Sequence, residues 1–377
     1  MVNLVVDLGD ERFGAAAMQA CERAIAAEGF SLERADRAGD TLLAWLDQEF
    51  GGAWSYEAYA GKNIVLKRNG AIAGFATYAA QGIRYRWLRS WRECTDAGIF
   101  GPFGLGPEVR GTGVGRHLLR LTLCALRAAG YRRALIPAVG GDGLIAYYVR
   151  EAGARICDEF DLTEQMPARM RTTVLASGAG TNFQAVIDAV EQKRLPLELG
   201  ALVTNNACAY ALTRAEVADI PTRLPVVWDR NVESRQTYDA RLLHAVRQTE
   251  PALILLLGWM HLLPEAFVRA FPEMMNIHPA FLPHDQTKDS VGMPDGSTIP
   301  AFRGAHAVAD AIAHGSTWVG ATAHRVTLGT DRGPVLVRMP LAIDPSFAQT
   351  RVMEQLRPIE HSVLLGGIRR WLLEREG

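Results

Sequence analysis

Lysine is almost missing from this chain. Of its 40 basic residues four are lysine (Lys62, Lys67, Lys193 and Lys288) and the other 36 are arginine. In a sequence this rich in alanine and glycine, the skew reads as genome composition and not as an anion-binding surface. An excess of one charge sign is missing too. Forty basic against 41 acidic residues leave a formal net charge of −1, which excludes a general pull toward nucleic acid, acidic lipid or a polyanion. Cysteine is scarce and scattered: Cys21, Cys94, Cys124, Cys157 and Cys208 form no Cys-x-x-Cys pair. That pattern suits a reducing compartment and argues against a disulfide framework or a structural zinc site. Long apolar runs are absent. The longest, residues 252–260, is broken by Gly258 and falls short of the roughly 18–20 residues of a membrane span. The first residues carry Asp7, Asp10 and Glu11 and no basic segment, so no signal peptide is expected. These absences together predict a soluble cytoplasmic protein, binding neither nucleic acid nor membrane.

What is present is enough for two cores. A length of 377 residues exceeds one ordinary domain of roughly 100–200, and 49% apolar with 21% charged residues is a globular balance. Residues 14–28 and 39–50 read as helices of good formers. Ile64-Val65-Leu66, then Lys67-Arg68-Asn69-Gly70, then residues 71–76 form a hairpin signal, because Asn-Gly supplies the positive φ of a tight turn. A Gly- and Pro-rich stretch at 98–107 precedes a periodic helix over 116–129 closed by Gly130. A strand at 134–139, a glycine-rich loop and a helix ending near Gly153 complete this half. Residues 163–170 carry Pro167 and no strand alternation, which places a domain over 1–165, a linker at 166–171 and a second domain over 172–377. The second half restarts as strand (172–176), loop (177–182) and helix (183–193). Short β-rich runs at 199–203, 225–227 and 252–257 then alternate with helical segments at 207–217, 234–249 and 264–271, which implies βαβ units and a mostly parallel sheet.

In the first half, Gly101-Pro102-Phe103-Gly104-Leu105 leads into Val109-Arg110-Gly111-Thr112-Gly113-Val114-Gly115-Arg116 and then the helix. A strand ending in a glycine-rich turn aims backbone N–H groups at a helix N-terminus, where phosphate or pyrophosphate can sit. A simple tight turn is the plain alternative. In context, Arg110-x-x-Gly113-x-Gly115 with the preceding hairpin and the following strand, loop and Tyr-bearing helix resembles the GNAT acyl-CoA N-acyltransferases, over about residues 40–160. The resemblance implies a mixed-sheet α/β domain. It implies that Arg110, Gly111, Thr112, Gly113, Val114, Gly115 and Arg116 hold the pyrophosphate of acetyl-CoA or another acyl-CoA. It also implies Tyr148, beside Tyr147, as the acid that protonates the leaving thiolate. Tyr148 lies one residue further from Gly153 than the commonest family spacing, and both tyrosines could equally be packing residues. No carboxylate stands out as a base, so the domain reads either as an active acyltransferase or as a CoA-binding remnant.

In the second half, Ser177-Gly178-Ala179-Gly180-Thr181-Asn182 follows a strand and opens a helix. As a dinucleotide fingerprint it fails: the third glycine would fall on Phe183, and Val203-Thr204-Asn205-Asn206 stands where a ribose-binding acid belongs. NAD is not expected; a small anionic group at the helix N-terminus is. Further on come Leu257-Gly258-Trp259-Met260-His261-Leu262-Leu263-Pro264, Met275-Asn276-Ile277-His278-Pro279, and Val326-Thr327-Leu328-Gly329-Thr330-Asp331-Arg332-Gly333-Pro334. In a strand Asn276 and His278 share one face. An amide donor beside an imidazole, with a carboxylate arriving on a later loop, suits acyl transfer: the Asn for a developing oxyanion, the His for proton relay, the Asp to set its pKa.

These segments together resemble the folate-dependent formyltransferases, most closely the phosphoribosylglycinamide branch, over nearly all of 172–377. The resemblance implies a Rossmann-like, mostly parallel α/β domain with Asn276, His278 and Asp331 as the catalytic trio. Met260, His261, Leu262 and Leu263, with Thr327, Leu328, Gly329 and Thr330, would hold the pterin of 10-formyltetrahydrofolate. Gly180, Thr181 and Asn182 match a substrate-phosphate turn, and Glu360 matches an acid that contacts the acceptor amine, with an exposed helix carboxylate as its plain alternative. Two departures stand out. About 16 residues, 284–300, are inserted before Phe302-Arg303-Gly304-Ala305-His306, a segment that the resemblance sets at the border of the acceptor pocket and that argues against glycinamide ribonucleotide as acceptor. Arg332 stands where the family usually has glycine, adding a cation beside the catalytic Asp. The nine histidines lack ligand spacing such as His-x-x-x-His, so no metal is expected. The expected function is N-formylation of a small amine, hydroxylamine or amino sugar in specialised metabolism, by a bifunctional chain with a CoA-binding front domain. Hydrolysis of the same folate, glycinamide ribonucleotide formylation with an accessory front domain, and a non-catalytic sensor are the rivals.

Overall fold

The computed structural model describes every residue except 84, 92–94 and 376–377, and of 89–91 the backbone only. Cys94 therefore lies outside the described residues. The chain divides into two compact units. Unit 1 comprises Met1–Phe50, Trp54–Met166 and Leu373–Gly377, and unit 2 comprises Gly51–Ala53 and Pro167–Leu372.

Unit 1 runs β1 (Val2–Asp7), α1 (Ala15–Ala27), β2 (Ser31–Ala35), α2 (Asp40–Glu49), α3 (Trp54–Ala60), β3 (Lys62–Arg68), β4 (Ala71–Tyr78), β5 (Ala97–Leu105), α4 (Val114–Ala128), β6 (Arg133–Val139), α5 (Asp142–Ala152) and β7 (Arg155–Glu159). Its single sheet has the order β2-β3-β4-β5-β6-β1-β7. All pairs are antiparallel except β5 with β6. The Asn69-Gly70 turn takes positive φ at both residues, 52° and 82°, as a two-residue hairpin needs. Helix α4 buries Leu118, Leu119, Leu121, Leu123 and Leu126 on two cores, one against β5, β6 and β1, the other against α1, β3 and β4.

The sequence reading passed over β1, β2, α3 and β7. Strand β1 is the instructive omission. It slots between β6 and β7 and five of its six residues are buried, so it shows none of the alternation that marks a half-exposed strand. The stretch read only as Gly- and Pro-rich is largely β5, whose partners supply the hydrogen bonds that its composition does not advertise.

Unit 2 runs β8 (Met170–Leu175), α6 (Thr181–Glu191), β9 (Leu197–Thr204), α7 (Tyr210–Val217), β10 (Thr222–Pro225), α8 (Arg235–Arg247), β11 (Leu253–Leu256), α9 (Glu265–Ala270), β12 (Met274–His278), β13 (Ser290–Gly292), β14 (Thr298–Pro300), α10 (Ala307–Ala313), β15 (Trp318–Arg325), β16 (Val335–Ala342) and α11 (Gln349–Glu374). The sheet order is β10-β9-β8-β11-β12-β15-β16. The first five strands are parallel, and β15 and β16 close the edge antiparallel. Unit 2 is thus the mostly parallel α/β sheet that the alternation implied.

Two boundaries need correction. Met170 and Arg171, read as linker, already pair with Leu197 and Glu198; Pro167 hid a strand that starts three residues later. The run read at 225–227 overlaps a strand only at Pro225, because β10 occupies Thr222–Pro225. The inserted segment folds as its own small hairpin, β13 with β14.

Candidate active site

Parallel strands bring their carboxyl ends to one sheet edge, which is where open α/β sheets hold ligands. Here Leu256 on β11 sits between Leu175 on β8 and Asn276 on β12. The loops after β8 and β11 and the end of β12 therefore emerge side by side. Two bonds join the first two loops: Ser177 N–H donates to the Gly258 carbonyl at 3.1 Å, and Met260 N–H donates to Ser177 Oγ at 3.0 Å.

Asn276, His278 and Asp331 come together at this edge. Asn276 Nδ2 donates to Asp331 Oδ1 at 3.3 Å, and His278 Nδ1 lies 3.5 Å from Asp331 Oδ2. His278 Nε2 is 2.8 Å from the Phe302 carbonyl. A carbonyl only accepts, so Nε2 carries a hydrogen and Nδ1 faces the carboxylate. Gly304 N–H donates to Asp331 Oδ2 at 2.8 Å. The turn that delivers Asp331 is sterically unusual. Asp331 has φ of 50°, and a Cβ on Gly333 would lie 1.6 Å from the Arg325 carbonyl oxygen, so only glycine fits there.

The structure adds His324, which sequence reasoning missed. Its Nε2 is 3.2 Å from Asn276 Nδ2 and 3.4 Å from Asp331 Oδ1, and its Nδ1 is 2.9 Å from the Arg325 carbonyl. His324 stands alone on β15, and only the antiparallel register Asn276↔His324 puts it in the site. Burial pushes the Asp331 carboxyl up. The His324 hydrogen bond, the charges of His278 and His324 and the Gly304 N–H outweigh that and hold it well below the usual carboxylate range. Burial lowers the His278 imidazole; the Asp331 charge and the Phe302 carbonyl oppose that, and His324 and Arg303 add to it.

Glu360 is not an exposed helix carboxylate: it is 7% exposed, and Asn182 Nδ2 donates to its Oε1 at 3.5 Å. Burial raises its carboxyl pKa, against the Asn182 bond and Arg357. Asn182 Oδ1 is buried with no hydrogen-bond partner among the described residues. Such an orphan acceptor is uncommon in folded proteins and marks a place for a donor. Gly180 caps α6 with φ of 69°, and a Cβ there would lie 2.9 Å from Ala211. Thr181 is partly exposed beside it. Of the residues matched to a pterin site, Met260, Leu262 and Leu328 expose 53%, 69% and 57% of their surface. Thr327, Gly329 and Thr330 are exposed too, whereas Leu263 is partly buried. His261 is held by Tyr238, hydroxyl to Nδ1 at 2.9 Å.

Unit 1 has its own cavity of about 920 Å³. Strands β5 and β6 pair only from Ala97↔Arg133 to Ile99↔Leu135 and then part. Pro102 has no N–H to offer, and Ala138 turns β6 aside with φ of 53°, held by Asn3 Oδ1 at 3.0 Å. The cleft is lined by Phe103, Arg110, Gly111, Gly113, Gly115 and Arg116, among others. Gly111 and Gly113 have φ of 81° and 94°, with open space where a Cβ on Gly111 would point. Thr112 Oγ1 donates to the Val109 carbonyl at 2.9 Å, and Val114 begins α4, buried. Tyr147 and Tyr148 both line the cleft. Burial, with Glu151, pushes Tyr147 up to about 12. Tyr148, packed edge-on to Phe100, is raised by burial and by Tyr147. Both phenols thus keep their protons at neutral pH. Among the described residues no cluster of His, Cys, Asp or Glu has the makings of a metal site, and no helix is long and apolar enough to cross a membrane.

Comparison with known proteins matches both units. The acetyltransferase (GNAT) family model covers residues 35–154. The formyl transferase family model covers 170–286 and 295–368, about half of the chain, and skips 287–294 within the inserted segment. Phosphoribosylglycinamide formyltransferase of Escherichia coli (strain K12) is 29% identical over 195 residues, 52% of this chain and 83% of that protein. The protein of the same name from Mycobacterium tuberculosis (strain ATCC 25618 / H37Rv) is 31% identical over 203 residues, 54% of this chain and 84% of that one. A crystal structure of glycinamide ribonucleotide transformylase 1 from Symbiobacterium toebii is 30% identical, covers 53% of this chain and 86% of its own, and superposes with a TM-score of 0.46. The chain belongs to the formyl transferase family, with a GNAT acetyltransferase domain ahead of the formyl transferase domain.

Proposed function

We propose that unit 2 moves the formyl group of 10-formyltetrahydrofolate to the nitrogen of a small acceptor: an amine, a hydroxylamine, an amino sugar or glycinamide ribonucleotide. The observation that carries transfer over hydrolysis is the buried Asn182–Glu360 pair. It presents an unpartnered carbonyl oxygen and a carboxylate with raised pKa, which suits the N–H groups of an acceptor; water would need no such pair. The exposed Met260, Leu262 and Leu328 fit a folate, whose flat ring would cover them.

Bound folate would supply an activated formyl carbon; the residues do the rest. Glu360 and Asn182 accept from the acceptor nitrogen and fix its lone pair, and as its N–C bond forms the Glu360 carboxylate, its pKa raised by burial, takes the proton that the nitrogen gives up. Asn276 gives an N–H to the formyl oxygen. In the structure both Nδ2 hydrogens are directed inward, at Asp331 and His324. Binding of the formyl group would turn one of these hydrogens from its inward partner to the developing oxyanion. His278, as imidazolium, gives its proton to the folate nitrogen as that nitrogen's bond to the formyl carbon breaks, and the Asp331 carboxylate near its Nδ1 opposes the lowering of its pKa by burial. Gly180, Thr181 and Asn182 at the start of α6 offer N–H groups to an anionic part of the acceptor.

A second reading applies to unit 1. The divergence of β5 and β6 supports an acyl-CoA transferase: Arg110, Arg116 and the Gly111–Thr112–Gly113–Val114–Gly115 turn would cradle the pyrophosphate. Tyr148 or its neighbour Tyr147 would return a proton to the thiolate.

The test is a panel of these acceptors with 10-formyltetrahydrofolate, and in parallel with acetyl-CoA, read by mass spectrometry of the products. Formyl addition to at least one nitrogen, lost in Glu360→Gln, supports transfer. Formate release at the same rate with and without every acceptor would refute it in favour of hydrolysis.

A further inference from the structure

The family match passes over residues 287–294, yet that stretch is bonded to the catalytic loops. Asp289 accepts from Arg303 Nη1 at 3.0 Å and from Arg332 Nη2. Each arginine is tied a second time nearby: Arg303 Nη2 donates to the Lys288 carbonyl at 2.8 Å, and Arg332 Nη1 to the carbonyl of Gln286, the last residue before that stretch, at 2.9 Å. The remaining Arg303 donor, Nε, reaches the Asp331 main-chain carbonyl at 3.3 Å.

The positions of these two arginines give the bonds their meaning. Arg332 directly follows Asp331. Arg303 lies between Phe302, whose carbonyl takes the His278 Nε2 hydrogen, and Gly304, whose N–H binds Asp331 Oδ2. We propose that Asp289 is a positioning residue for formyl transfer, a clamp that holds Arg303 and Arg332 and so fixes the Phe302–Gly304 segment and the Asp331 turn against His278. The proposal rests on the formyl-transfer reading above. It joins the two departures from the family pattern, the insertion and Arg332, into one device.

As a stabiliser of the fold the cluster counts for little. The Asp289 side chain is 76% exposed, and an ion pair with one such partner contributes little to stability. As a positioner it counts for more, because a misplacement of about 1 Å at a reacting group costs about a hundredfold in rate. The clamp also balances charge. The groups facing His278 are the Asp331 carboxylate, His324, the Phe302 carbonyl and the Arg303 guanidinium, and Arg303 opposes the imidazolium. Without the Asp289 carboxylate, Arg303 and Arg332 lose their shared counter-charge and Arg303 is left with Asp331, so the His278 imidazolium gives up its proton at lower pH.

The experiment uses the full chain with Asp289→Asn and Asp289→Glu. The His278 imidazole is titrated by NMR of histidine-labelled protein, its signal assigned with His278→Gln. The Asn variant should titrate at least about half a pH unit lower, the Glu variant close to wild type, and both should unfold near the wild-type temperature. With 10-formyltetrahydrofolate and the best acceptor of the panel, Asp289→Asn should lose about 10- to 100-fold in kcat with the folate KM within about twofold. An unshifted His278 titration together with an unchanged kcat overturns the clamp. A wild-type protein that formylates nothing overturns the transfer reading instead, and the titration then decides the clamp alone.

Discussion

Replacing Asp331 by Asn keeps the shape of the side chain and removes its charge. Its oxygen can still accept from Gly304 N–H, now 2.8 Å away. What disappears is the negative charge 3.5 Å from His278 Nδ1. Two unit charges at that distance interact by about 5 kcal/mol at an effective dielectric of about 20, and by about 1 kcal/mol when fully screened by water. The His278 imidazolium is destabilised by that amount, and every step of about 1.4 kcal/mol is tenfold in its population. Near neutral pH about 10- to 1000-fold less of it remains as proton donor. The sign is fixed: removing a negative neighbour lowers the pKa of a cation, so the limb of the pH–rate profile that falls with rising pH must move to lower pH. Steady-state formyl transfer from pH 5 to 9, wild type against Asp331→Asn, measures both quantities. A variant with turnover within about threefold of wild type and an unmoved limb would remove Asp331 from the mechanism.

Gly333→Ala would set a Cβ 1.6 Å from the Arg325 carbonyl oxygen; the Asp331 turn must then move, and formyl transfer should fall about a hundredfold while CoA binding by unit 1, read by calorimetry, stays at the wild-type level. Gly113→Asp places a side chain and a negative charge at φ of 94° in the glycine turn; acetyl-CoA binding should be lost and formyl transfer kept, and calorimetric heats equal to wild type would make the turn merely structural. Burial holds the imidazoles of His278, His284 and His361 below their ordinary values, so between those lowered values and about pH 6.5 the unfolded chain binds more protons than the folded one. Their contribution is therefore complete above about pH 6.5 and is lost as the pH falls. His284→Gln should flatten the drop in unfolding temperature between about pH 7.5 and 5.5, and an equally steep drop in the variant would contradict that.

The sequence by itself determined what depends on short spacings. The Asn-Gly turn, the α4 helix with its glycine turn, and the alternation of strands and helices after residue 170 are local patterns, each fixed by backbone preference and side-chain period. Asn276 and His278, two apart on β12, share a face for the same reason, and resemblance supplied Asp331 and Glu360. Tertiary structure decided what depends on pairing across distance. β1 carries no visible strand period because both its faces are buried between β6 and β7. His324 enters the site only through the register of β12 with β15, 48 residues from Asn276. Asn182 meets Glu360 across 178 residues of chain, and its orphaned oxygen is visible only once its neighbours are in place. The sequence read the insertion as a border of the acceptor pocket and Arg332 as a cation beside Asp331; that Asp289 joins them was not legible, because ion pairing follows separation in space, which the order of residues along the chain does not specify.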